Sequence, residues 1–182
     1  MKIAMSKTRE QFPLSEKKIM KKTVKVNLAL DIIALVVWLI VWFTIKASGG
    51  IADGVLGISV LATLVFLFTF FLLTYIYQEW YWKVYFYDLT DDFIIIKKHP
   101  ITPREITIPY ERIQDVYVDQ DLLDRFFGLY DVHLSSATIS SGMEAHIDGV
   151  EKEAADGLRK VLLETVQRRI SKNRIQNSNP TG

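Results

Sequence analysis

Cysteine is absent from the 182-residue chain. Its absence excludes a disulfide framework, a cysteine nucleophile and thiolate metal sites. Histidine is scarce, and His99, His133 and His146 fall in no helical metal-binding motif. We interpret them as solvated strand positions, and the alternative is a surface metal pair of His133 and His146 on neighbouring strands. The sequence also lacks a glycine-rich phosphate loop and a serine nucleophile elbow. We therefore predict no enzyme activity, no catalytic residue, no cofactor and no metal site.

Charged residues are nearly missing between residues 28 and 77, where two long apolar runs lie. Residues 55–77 carry no charge, and a helix of this length extends about 34 Å, enough to cross a hydrocarbon core of about 30 Å. Residues 28–45 carry one charge, Asp31. The pattern predicts a transmembrane hairpin over residues 28–77, with helices near 28–45 and 55–77. A cleaved signal peptide is the alternative for the first run.

Asp31 is the candidate polar residue within the membrane. A carboxylate at the bilayer centre costs about 2.5–3.5 kcal/mol on insertion scales. Asp31 lies one to two helical turns from Lys25, near the basic end of the first run, so one interpretation places it at the interface. The other interpretation gives it a function in transport or ion binding.

The basic residues predict the orientation of the hairpin. Residues 1–27 carry eight Lys and Arg against two Glu, whereas Lys46 is the only basic residue of the loop at 46–54. Because basic flanks stay in the cytoplasm, we expect a cell-membrane, multi-pass protein with both termini cytoplasmic. The basic N-terminal segment, residues 1–27, is expected to lie along anionic headgroups.

A soluble domain is predicted to follow over residues 78–170. Its pattern changes to the two-residue period of strands, beginning with a hairpin that turns at Asp91 and Asp92. The two-residue spacing of apolar side chains is broken by one extra residue between Ile113 and Val116, and this predicts a β-bulge. A short helical turn before Gly128, a strand from Tyr130, a turn at 140–142 and a last strand follow.

The end of the chain is predicted to be helical. Asp148 and Glu151 have the spacing of an N-terminal cap. Four apolar residues then recur at helical spacing: Ala155, Leu158, Leu162 and Val166. The polar residues 171–182 predict a frayed tail.

Three stretches of this domain resemble the bacterial pleckstrin-homology-like membrane proteins of the YdbS type. They are YDLTDDFIII, then IPYERIQDVYVDQDLLDRFFGLYDVHLSSA, and IDGV before the final helix. The resemblance covers about residues 75–165, and the two preceding apolar helices also match. It implies a mainly-β pleckstrin-homology-like barrel, a bent antiparallel sheet with a C-terminal capping helix, and it implies no known reaction.

The acidic segment, defined as residues 115–124, holds the candidate partner contacts. Its carboxylates are Asp115, Asp119, Asp121 and Asp124, which lack the spacing of a calcium loop. We interpret them as an exposed surface for a basic partner, with Leu122, Leu123 and two phenylalanines pinning the turn to the barrel or to its membrane-facing rim.

These features predict a membrane-anchored interaction or scaffold module that belongs to a membrane protein assembly. Residues 80–170 carry eleven basic against sixteen acidic residues, and this charge disfavours binding of the domain to anionic lipid. Expected partners are the bilayer, another membrane or cytoplasmic protein, a related pleckstrin-homology-like membrane protein, or a second copy. Nucleic acid is not expected. The alternatives are a small transport or channel accessory subunit and an enzyme whose site forms only in an oligomer.

Overall fold

A computed structural model describes residues 6–47, 53–136 and 145–178. It divides into two compact units, a helix pair over residues 19–79 and a sheet unit that combines the residues up to 18 with those from 80 onward. The turn predicted at 140–142 and most of the loop between the two long helices fall outside the described residues.

Two long helices form the helix pair, α2 (Lys17–Ala47) and α3 (Asp53–Val84). Both are long and apolar enough to cross a membrane, with mean hydropathies of 2.6 and 2.3 over their most apolar windows, and neither window is buried within the protein. They begin before and end after the predicted runs. Asn27 donates a hydrogen bond of 2.7 Å to the hydroxyl of Thr74 and so joins the two helices at one end.

The sheet unit contains two three-stranded antiparallel sheets. The first pairs β1 (Phe86–Leu89), β2 (Phe93–Lys98) and β3 (Arg104–Pro109), and the second pairs β4 (Ile113–Asp119), β5 (Tyr130–Ser136) and β6 (Ala145–Val150). The predicted closed barrel is therefore wrong for the described strands, which form two separate hydrogen-bonded ladders. A 3-10 turn, Tyr110–Arg112, follows β3 directly and links the two sheets.

Local sequence signals explain most strand boundaries. The Thr90 hydroxyl accepts from the Phe93 amide across the first hairpin turn. The β4–β5 register shifts between Ile113 and Asp115, which confirms the predicted bulge. Helix α4 (Leu122–Phe127) ends at Gly128, whose φ of 69° lies in the left-handed region that glycine adopts without strain.

Helix α5 (Lys152–Ser178) packs against β4, β5 and the 3-10 turn. The four residues predicted at helical spacing, Ala155, Leu158, Leu162 and Val166, are all buried, which confirms the predicted core face. The helix continues to Ser178, within the stretch for which a frayed tail is predicted. Short helix α1 (Lys7–Gln11) also belongs to the sheet unit.

Candidate functional site

The N-terminal strap, defined as residues 6–18, is bound to the rest of the sheet unit by side-chain hydrogen bonds. The Ser6 hydroxyl donates to the Tyr87 carbonyl at 2.5 Å, and the Thr8 hydroxyl donates to the Asp88 carboxylate at 2.8 Å. Arg9 donates to the carbonyls of Tyr85 and Trp82. Burial lowers the pKa of Arg9 from its usual value. These contacts hold the strap along the start of the first sheet.

The apolar residues of the strap complete the core. Phe12 packs so closely on Gly157 of α5 that a Cβ at that glycine would lie 2.3 Å from the ring. Leu14 forms an isolated antiparallel bridge to Val150, and the Ser15 amide donates to the Gly149 carbonyl at 2.9 Å. The strap therefore extends the edge of β6 and contacts the N-terminal part of α5.

A buried ion pair joins the end of the strap to β6. Lys18 Nζ lies 2.5 Å from Asp148 Oδ1, and both side chains are 2% exposed. The ammonium group also lies 3.9 Å above the centre of the Tyr85 ring. Burial, and secondarily the charge of Asp148, raises the pKa of Tyr85 well above its usual value. The predicted capping role of Asp148 is wrong, because this carboxylate is committed to Lys18 within the strand.

Gly149 makes room for this ion pair. Its φ is 78°, and a Cβ there would lie 2.6 Å from the Lys18 side chain. Conformation and space therefore both require glycine at this position. The basic character of residues 1–27, with eight Lys and Arg, gave no indication that the strap contributes two apolar residues to the core. The available signal was Phe12 and Leu14 at alternate positions, as in a paired edge strand.

The acidic segment is less uniform than predicted. Asp115, Asp119 and Asp121 are exposed, but Asp124 is buried. Asp121 and Asp124 form a capping box: the Asp121 carboxylate accepts from the Asp124 amide at 2.7 Å, and the Asp124 carboxylate accepts from the Asp121 amide at 3.3 Å. Asp124 therefore stabilises the first turn of α4 from a buried position, and its carboxylate is not exposed on the expected contact surface.

The apolar residues of α4 also differ from the prediction. Leu122 and Phe126 are 83% and 81% exposed, whereas Leu123 and Phe127 are partly buried. The interpretation that all four pin the turn to the barrel is thus wrong for Leu122 and Phe126, and the alternative, contact with a membrane-facing rim, stays a prediction. These two lie four residues apart and so share one face of the helix. We call this pair with the exposed carboxylates of Asp119 and Asp121 the α4 knuckle.

The outer face of the second sheet places aromatic rings in a row. His133 stacks on Tyr117 at 4.9 Å between ring centroids and on His146 at 5.3 Å.

His133 Nε2 lies 3.1 Å from Asp119 Oδ1. One ligand atom each of Asp119, Asp131 and His133 lie within 4.8 Å of one another, so these three side chains could hold a metal ion. Two carboxylates and one imidazole suit a transition metal better than calcium or magnesium.

Calcium or magnesium is expected to leave the melting temperature of the full-length protein unchanged. Ca²⁺ takes six to eight oxygen ligands, and the capping box already engages Asp121 and Asp124. Thermal unfolding with either ion, compared with chelator, measures this. The control is Asp121→Asn, because asparagine caps helices as well as aspartate does. A rise of several degrees that Asp119→Asn or Asp121→Asn abolishes would identify an ion site instead.

Asp31 lies in the helix pair, on the wall of an apolar groove between α2 and α3. The groove has a volume of about 370 Å³. Asp31 forms neither a hydrogen bond nor an ion pair within the described part of the chain. Asp31 is therefore distant in sequence from the residues of the α4 knuckle.

The family model described as bacterial PH domain matches residues 24–166. The match spans most of α2, all of α3, both sheets and the first half of α5, and it confirms the resemblance to a bacterial pleckstrin-homology-like family. No curated protein and no solved structure matches the chain significantly.

Proposed function

The chain belongs to the bacterial PH domain family, and from this we propose that it is a membrane-anchored interaction module of a membrane protein assembly. The helix pair is its anchor, and the α4 knuckle is its contact surface for another protein. Binding of this kind needs neither a cofactor nor a reacting side chain.

The course of the chain supports a hairpin that crosses the membrane twice. The strap ends in the first residues of α2 and belongs to the same compact unit as the residues that follow α3. In the proposed arrangement both ends of the helix pair lie on one side of the bilayer, which fits an even number of crossings. The eight basic residues before the first apolar run favour the cytoplasmic side.

The exposure of Leu122 and Phe126 is the observation that carries the proposed contact. A large aromatic or aliphatic side chain that enters a partner's pocket commonly supplies most of the binding energy at an interface. Here the capping box and the left-handed Gly128 fix the short helix that displays both side chains. Because the helix is already formed, binding loses little conformational entropy.

The charges beside this apolar pair define the chemistry of the partner. Asp119 and Asp121 are exposed next to α4, and Asp115 is exposed earlier on β4. Anionic lipid would be repelled by these carboxylates. A protein with an apolar pocket rimmed by Lys or Arg fits both features, and its charges would chiefly accelerate association.

Replacing both Leu122 and Phe126 with serine is expected to abolish co-purification of the partner after gentle detergent extraction of the tagged full-length protein. The melting temperature should change little, since both side chains are almost fully exposed. Quantitative mass spectrometry of the purified complex measures the partner, and we expect a loss of at least tenfold. Binding by the unaltered protein should weaken with salt, mainly through slower association.

Ile101→Ser is the matched control, because Ile101 is 67% exposed in the β2–β3 connection and lies outside the knuckle. This variant should retain the partner. Retention of the partner by the Leu122/Phe126 variant, or equal loss in the Ile101 variant, would refute the α4 knuckle as the contact surface.

Asp31, which has no hydrogen-bond or ion-pair partner among the described residues, supports a second candidate, a transport or channel accessory subunit. In that role, the carboxylate would act within the membrane. Asp31→Asn should then abolish the cellular phenotype while the assembly stays intact. The interaction module predicts instead that changes in the α4 knuckle abolish the phenotype together with co-purification.

A further inference from the structure

The groove of the helix pair is built from two matching stripes of side chains. On each helix the lining residues follow the spacing of one helical face, i, i+3, i+4 and i+7. The stripe on α2 consists of Asp31, Ala34, Leu35 and Trp38, and the stripe on α3 consists of Val60, Thr63, Leu64 and Leu67. A groove that runs along two helices for two turns has a shape into which a third helix can pack.

Among the described residues that line this groove, Asp31 and Thr63 have polar side chains, and Trp38 adds an indole N–H to an otherwise apolar lining. Thr63 already donates its hydroxyl to the Ser59 carbonyl at 2.9 Å, as membrane helices commonly satisfy such groups. Asp31 has no hydrogen-bond or ion-pair partner in the part of the chain that the structure describes. An acidic group beside an apolar wall is stabilised when its occupant supplies a positive charge.

We infer that this groove seats a transmembrane helix of a different membrane protein, one that carries Lys or Arg close to its cytoplasmic end. The inference rests on the proposed membrane hairpin and names a partner surface beyond the α4 knuckle. Asp31 lies near the cytoplasmic end of the apolar run under that topology. Membrane helices concentrate Lys and Arg at the same depth, so charge and position agree.

A second copy of the chain fits the groove poorly. Two copies inserted with the same topology hold their Asp31 residues at the same depth. In a symmetric dimer that packs groove against groove, these two carboxylates would approach the symmetry axis together, and like charges that close disfavour the contact. A helix with the opposite charge removes this conflict.

The test uses full-length protein in bacterial membranes and a designed single-span helix of Leu and Ala as the probe. The probe carries one Lys at the depth of Asp31, and a matched probe carries Leu there. A photo-crosslinking amino acid replaces Leu64 in the groove or, as the control, Phe66, which is exposed and does not line the groove. We expect an adduct between the Lys probe and position 64 at a yield about fivefold above that of the Leu probe or of position 66.

Asp31→Asn should reduce the adduct to the level of the Leu probe, since asparagine keeps the shape and removes the charge. Asp31→Lys with a Glu probe should restore it. Equal adducts with both probes, insensitivity to Asp31→Asn, no adduct, or an adduct between two copies of the chain would each overturn the inference. Cysteine labelling of the same membranes verifies insertion of the hairpin, so these outcomes are separable from a failure of the proposed anchoring.

Discussion

Lys18→Ala should lower the free energy of unfolding of the sheet unit by about 3–5 kcal/mol, the range found when one partner of a buried ion pair is removed. The substitution leaves the Asp148 carboxylate buried without the ammonium group that pairs with it. It also removes a side chain that fills the space above Gly149. Denaturant unfolding of the full-length protein in mild detergent, followed by far-ultraviolet circular dichroism, measures the change.

Lys17→Ala is the matched control, because Lys17 and Glu151 form an exposed ion pair at 3.0 Å. Exposed pairs contribute little, and we expect a change below about 1 kcal/mol. Lys18→Met combined with Asp148→Leu should recover much of the loss, since an apolar pair can replace a buried ion pair. A Lys18→Ala effect as small as that of Lys17→Ala would show that the strap does not stabilise the sheet unit.

Leu162→Ala is the second substitution with a large expected effect, about 2–5 kcal/mol in the free energy of unfolding. Leu162 is fully buried where α5 packs on the second sheet and the 3-10 turn, so alanine leaves a cavity that rigid neighbours fill poorly. The same unfolding experiment measures it.

Lys160→Ala provides the control on the exposed face of α5, and a change within about 0.5 kcal/mol is expected there. If Leu162→Ala also fell within that range, α5 would be a peripheral helix and would not complete the core of the sheet unit.

The sequence patterns predicted the elements that depend on local signals. Apolar runs located α2 and α3, the two-residue period located the strands, and helical spacing identified Leu158 and Leu162 as core residues. The bulge after Ile113 and the glycine end of α4 were predicted for the same reason, because one or two residues determine each of them.

The strap could not be predicted in this way, because its contacts join residues far apart in the chain. Lys18 and Asp148 are separated by 130 positions, and each alone is an ordinary charged residue. Asp148 has the spacing of a helix cap, so a local interpretation preferred that role. Only the fold brings Lys18 and the small Gly149 together and makes the ion pair possible.

The α4 knuckle was predicted in position but not in orientation. Local sequence showed carboxylates around Leu122 and Phe126, yet burial of a short helix depends on which face meets the sheets. The Asp124 side chain is buried in the capping box, and the side chains of Leu122 and Phe126 are exposed on the other side of α4. The same four acidic residues therefore have different roles, which spacing alone does not distinguish.

Single-cysteine labelling tests the central claim, a membrane hairpin that holds the strap and α5 on the cytoplasmic side. The natural chain has no cysteine, so Lys7→Cys, Lys46→Cys and Lys172→Cys each introduce one reactive site. We predict that a membrane-impermeant maleimide labels only Lys46→Cys in intact cells whose inner membrane is accessible, and that all three react after the membrane is permeabilised. Labelling of Lys7→Cys or Lys172→Cys in intact cells would contradict the proposed topology.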